Sequence, residues 1–297
     1  RFDDHPHVKV LVPVVTGDDQ VLAWCAAVLR VSDAAIADAR YRILRAIALA
    51  VGLIIATTAL FYPLVIRLVN RLSRLSASLL DANLEVIKVL GSAIAKKDSD
   101  TDAHNYRVTL MAVQLAESLG LDPDRIRALI KGAFLHDVGK IGIPDAVLLK
   151  PGRLDESEFS VMKQHVEHGL DIIGRSAWLA DAAAVVGGHH EKYSGDGYPA
   201  GLAKEGVSVL ARIFALVDVF DALTCRRPYK EPMPYEDSMQ VLEAGRGTHF
   251  DPAVLDAFTR LSTHFYETIA QREDEALKAE TNAMMRRYFE VSIEQFI

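Results

Sequence analysis

The hydrophobic pattern of this chain changes three times before it settles. Residues 8–15 and 21–31 are dense in valine and other apolar positions and read as two strands, with Gly17-Asp18-Asp19 turning the chain between them. Two strands alone make no stable unit. Residues 1–40 are therefore expected to be the C-terminal remnant of an extracytoplasmic sensor domain, and the chain, which starts at Arg1, a piece of a longer protein. Residues 46–66 then run without a charge, long enough for a helix to cross a bilayer, and a transmembrane helix is expected over 43–66. Arg40, Arg42 and Arg45 precede this run and Arg67, Arg71 and Arg74 follow it, so the basic residues do not orient it. Next, Leu68, Leu72, Leu75, Leu79, Ala82, Val86, Val89 and Ala93 alternate spacings of four and three. That is a heptad seam, and it predicts a coiled-coil linker over 67–95 that joins two copies in parallel. An amphipathic helix packed on its own domain is the alternative.

Beyond residue 95 the apolar positions recur at helical spacing, and no strand alternation of any length appears. Helices are predicted over 107–119, ended by Gly120, and over 126–135, with Pro123 at the opening turn. Others are predicted over 156–173, 181–186, 209–223, 235–242 and 252–261, with Pro228, Pro232 and Pro234 marking a loop. The fold class is thus all-α, with a helical domain at 96–262 after the hairpin remnant, membrane helix and linker. A charged, amphipathic tail over 263–297 is expected to form a peripheral helix.

Composition narrows the function. Half of the 297 residues are apolar, and the formal net charge is −7, which argues against a partner that is a nucleic-acid polymer. Two cysteines, Cys25 and Cys225, make no disulfide framework.

The chemistry concentrates in two places. His189-His190-Glu191 offers paired imidazoles, and the glycine-rich turn behind it closes on Tyr198-Pro199. Fifty residues upstream His136-Asp137 stands in Leu-His-Asp-Val-Gly-Lys. An HD pair followed by Gly-Lys, with His-His-Glu and Gly-Tyr-Pro downstream, resembles the HD-GYP family of bacterial cyclic di-GMP phosphodiesterases. The resemblance covers about residues 95–260 and implies an HD-superfamily helical fold.

Residue by residue, the resemblance implies metal ligands at His104, His136, Asp137, His165, His189, His190 and Asp218, with Asp137 bridging two ions. Imidazole with carboxylate suits iron or manganese, two or three ions in all, and no thiolate points to a structural zinc. No organic cofactor is expected. Asp100, four residues before His104, is either a ligand for a third ion or a helix cap in competition with Asp98 and Asp102. Asp221 is expected to be structural or to support a ligand. Lys140, three residues past Asp137, is expected in the catalytic pocket beside Asp137 if the helix continues through it. Lys140, Tyr198, Arg227 and Lys230 are expected to bind substrate. Ser194 stands where the family signature has an aspartate, with Asp196 placed to compensate. His5, His7, His168, His249 and His264 have no part in the pattern. The implied reaction is hydrolysis of cyclic di-GMP to pGpG, with GMP a further product left open, at the bacterial inner membrane with the catalytic domain in the cytoplasm. Another nucleotide, such as an alarmone or a mixed cyclic dinucleotide, is one alternative; a cyclic di-GMP receptor without catalysis is the other.

Overall fold

The computed structural model describes residues 6–98, 102–226 and 231–289. The chain divides into two units, Arg1–Arg74 and Leu75–Ile297.

In the first unit β1 (His7–Val15) and β2 (Val21–Arg30) pair antiparallel, with Val12 opposite Cys25 and an irregularity between Val14 and Val15. Asp19, in the turn, takes a positive φ of 58°, a conformation that aspartate tolerates better than most residues. β2 is exposed along its whole length. Helix α1 (Asp33–Lys97) follows as one continuous element. It includes the whole uncharged run and by length and composition can cross a membrane, with none of its apolar window buried. Pro63 lies inside it.

The second unit holds the last turns of α1 and nine further helices among the described residues. These are α2 (Asp102–Ser118), α3 (Pro123–Leu135), α4 (Asp145–Leu148), α5 (Glu156–Gly174), α6 (Ala183–Val186), α7 (Val209–Thr224), α8 (Tyr235–Ala244), α9 (Pro252–Thr268) and α10 (Glu275–Phe289). Side-chain caps start several of them. The Asp122 carboxylate accepts from the Arg125 amide just before Pro123, and Asp155 and Glu158 form a reciprocal capping box on α5. Gly120, at φ +71°, turns the chain out of α2.

The core centres on α2, which packs against α3, α7 and α10 and is buried on most of its surface. Two expectations are corrected here. The tail after residue 262 is not peripheral: Leu277, Thr281, Met285 and Phe289 form an i, i+4 stripe that α10 buries in the common core. The domain also does not begin at residue 96, because Leu84, Ile87 and Ile94 of α1 belong to that core. These three lie on a different face of α1 from the heptad seam. Leu75, Leu79, Val86 and Val89 of the seam are all more than half exposed. The last turns of α1 therefore carry two apolar faces, one docked and one open.

Candidate metal centre

α3 ends at Leu135 with His136 as its C-cap, and a 3-10 turn, Val138–Gly142, follows Asp137. The α-helix does not continue, as Lys140 was expected to need. The 3-10 turn brings i and i+3 into line instead, and Lys140 Nζ lies 2.7 Å from Asp137 Oδ2. The turn can press against α5 only because residue 139 is glycine: a Cβ there would meet the His165 carbonyl oxygen at 1.8 Å and the Gly169 amide at 2.4 Å. That approach sets His165 beside Asp137.

Seven expected ligands converge in two groups. Asp137, His165, His189 and His190 form one, and His104, His136 and Asp218 the other; within each, the ligand atoms lie within 4.8 Å of one another. Asp137 faces both. Its Oδ1 is 3.6 Å from His165 Nε2 and 4.0 Å from His189 Nε2, while its Oδ2 is 3.0 Å from His136 Nε2. His168, His249 and His264 belong to neither group. Asp100, Arg227, Lys230 and His5 lie outside the described residues.

The ring orientations favour a cation. Nδ1 of His136 donates to the Ala133 carbonyl (2.9 Å), that of His165 to Met162 (2.7 Å) and that of His189 to Val186 (3.0 Å). A carbonyl only accepts, so each Nδ1 carries a proton, and in the neutral rings of His165 and His189 Nε2 is left as the inward lone pair. Nδ1 of His104 meets the Asp221 carboxylate at 2.7 Å, and Arg107 grips the same carboxylate through Nε (2.6 Å) and Nη2 (2.9 Å). Burial opposes the charge of Asp221, but His104 and Arg107 outweigh it and hold the carboxyl below its ordinary range. Asp221 thus orients the His104 ring.

Burial keeps His165 and His189 below the usual imidazole range and lowers His190 to about 3, all neutral as metal binding requires. His136 goes the other way: burial works against its charge, yet Asp137 pushes it up to about 9. An imidazolium there stands in for the positive charge that a carboxylate set between two imidazole groups calls for. The donor set fits bound metal ions.

Three supporting features were not read from the sequence. Glu191, after the paired histidines, is buried and accepts from the amides of Ala200 (2.8 Å) and Leu202 (3.1 Å), which ties down the Gly-Tyr-Pro loop. Gly197 is required in that loop, because a Cβ would meet the Lys192 amide at 2.3 Å. Lys97, near the end of α1, donates to the carbonyls of Ile141 (2.9 Å) and Ile143 (3.0 Å), and the neighbouring Asp98 pairs with Lys140. No sequence signal distinguishes Glu191, Lys97 and Asp98 from ordinary surface charges. Ser194 donates to Asp196 (2.9 Å), and its amide bonds the Thr248 carbonyl (2.8 Å), so the loop is anchored without the aspartate that the signature carries there. Tyr198 stacks on His190, with ring centroids 4.7 Å apart.

The HD domain family profile matches residues 88–254. A probable cyclic di-GMP phosphodiesterase of Vibrio cholerae is 39% identical over 206 residues, covering 64% of this chain and 47% of the relative. A cyclic di-GMP phosphodiesterase response regulator of Xanthomonas campestris is 43% identical over 178 residues, covering 59% and 47%. A 3′3′-cGAMP-specific phosphodiesterase of Vibrio cholerae is 38% identical, covering 67% of this chain and 38% of the relative. The chain spans about half or less of the length of these curated relatives.

Proposed function

This chain belongs to the HD domain family, and on that footing we propose that its two-part pocket is the centre of a metal-dependent phosphodiesterase that hydrolyses cyclic di-GMP to pGpG, a further step to GMP being left open. The observation that carries the reading is Asp137, whose two oxygens face two separate groups of imidazole nitrogens.

His104, His136 and Asp218 would hold one ion, and His165, His189 and His190 the other, with Asp137 between them; iron or manganese suits this donor set. Bound there, the ions supply Lewis acidity toward a phosphoryl oxygen and lower the pKa of water. A third ion beside Asp100 remains part of the proposal. Lys140, kept protonated by Asp137 and Asp98 against the cost of burial, would neutralise charge on a phosphate oxygen beside Asp137. Tyr198, stacked on His190, would present an aromatic surface to a base. Arg227 and Lys230 would take the remaining phosphate charge, Arg227 with the planar fork suited to it. The uncharged part of α1 would anchor the protein in the bacterial inner membrane, with the pocket on the cytoplasmic side.

The test is turnover of cyclic di-GMP by purified protein, with products separated by chromatography and metal content measured in parallel. The parent should form pGpG, and Asp137→Ala should lose metal and turnover together. Full activity in a metal-poor Asp137→Ala protein would refute the mechanism, and turnover of 3′3′-cGAMP with none of cyclic di-GMP would reassign the substrate.

A further inference from the structure

α5 carries His165, and two residues upstream of it serve no purpose in the metal centre. Phe159, one turn before Lys163, is 45% exposed, a large aromatic surface left open beside the site. Its ring stands edge-on to Tyr198, centroids 6.0 Å apart at 83°. Lys163 Nζ sits over both rings, 5.2 Å from the centroid of Phe159 and 5.9 Å from that of Tyr198. Tyr198 in turn is stacked on His190. His190, Tyr198 and Phe159 are thus linked ring to ring, and the Lys163 ammonium touches the last two.

We infer that Phe159, Lys163 and Tyr198 form a base subsite in which Lys163 selects guanine. This rests on the reading of the pocket as a cyclic di-GMP phosphodiesterase and names the group that sets its base preference. Aromatic faces accept any base by stacking, so the rings alone do not discriminate. The ammonium does. Guanine presents two acceptors, O6 and N7, on one edge, whereas adenine replaces O6 with an amino donor. A lysine carries donors only, so it gains a charge-assisted hydrogen bond to guanine O6 and meets a like dipole on adenine. Lys163 stands over rings rather than beside Asp137, where Lys140 already lies. Its flexible four-carbon stem can carry the ammonium from the ring faces to the edge of a base stacked on the exposed ring of Phe159.

The experiment compares cyclic di-GMP with cyclic di-AMP, which offers no guanine to any subsite. The preference is read as a ratio of kcat/KM where both are hydrolysed, and by titration calorimetry where one is not. Lys163→Met keeps the aliphatic stem and removes the donors. It should lower the preference for the guanine dinucleotide about tenfold, with metal content and Tm unchanged. Lys163→Arg, which can also donate to O6 and N7, should retain the preference. An unchanged ratio in Lys163→Met overturns the assignment, and so does an equal loss for both dinucleotides, which would make Lys163 a phosphate ligand. A parent protein that hydrolyses no cyclic dinucleotide instead refutes the function on which the subsite rests.

Discussion

Four imidazoles of the pocket have Nδ1 held by a carbonyl or a carboxylate, and the protonation of the group has a measurable signature. His165, His189 and His190 lie below the ordinary 6.5 because burial disfavours their charge. Once metal is removed, the unfolded chain takes up protons below pH 6.5 that the folded chain refuses, down to about 3 for His190. Stability is therefore lost as pH falls through that window. His136 is buried too, but Asp137 raises it to about 9. Its contribution is present below pH 6.5 and lost as pH rises through 9. Thermal melts of the metal-depleted protein should accordingly show the highest Tm near pH 6.5 and a decline on both sides. A Tm that climbs steadily from pH 6.5 to 9 would contradict the placement of His136. At this scale the sequence was informative wherever residue type and local context coincide, as in His136-Asp137 and His189-His190. It was silent where a role is made by approach in space. Glu191 looks like part of the ligand string and proves to hold a loop.

The elements place these residues through a few close contacts. The 3-10 turn after Asp137 lies on α5 across Gly139, and the obstructing atoms are backbone, which cannot rotate away. Gly139→Ala should therefore push the turn from α5 and widen the gap between Asp137 and His165. Overpacking of this kind costs typically 1–3 kcal/mol. The expected result is a folded protein of lower Tm in which metal is lost first from the group that contains His165, read by metal analysis. Normal metal content in Gly139→Ala would show that the turn has room the structure does not indicate. Helical periodicity located α3, α5 and α7 to within three residues and α9 at its start, though α9 runs on to Thr268, because each starts at a side-chain cap or proline and carries an apolar stripe. It could not show that the helix stops before Lys140, since that depends on the docking of the turn. Nor could it assign a partner to the stripe of α10. An amphipathic pattern records that one face is buried and not what buries it.

For the molecule as a whole, the last turns of α1 have opposed duties. Leu84, Ile87 and Ile94 join the core, while Leu75, Leu79, Val86 and Val89 stay open. A second copy packing along the open face would cover the heptad without disturbing the first contact. Leu75→Lys with Leu79→Lys should then convert a dimer to a monomer in sedimentation, because charge in such a seam costs several kcal/mol when buried. The same association state before and after would remove the coiled coil from the account.

The enclosure of α2 has a consequence for how the protein is made. In sequence the ligands run from His104 to Asp218, so the last of them is synthesised well before α10. Yet α2, which carries His104 and Arg107, is sealed by α10, where Leu277 and Met285 enter the shared core and the Thr281 hydroxyl reaches the Tyr106 carbonyl at 3.5 Å. A ribosome adding roughly 5–20 residues per second needs several seconds to travel from Asp218 to Phe289. During that interval all seven ligands exist on a nascent chain whose first ligand helix is still uncovered. A metal held through His104 would therefore be enclosed only after α10 has emerged and covered α2.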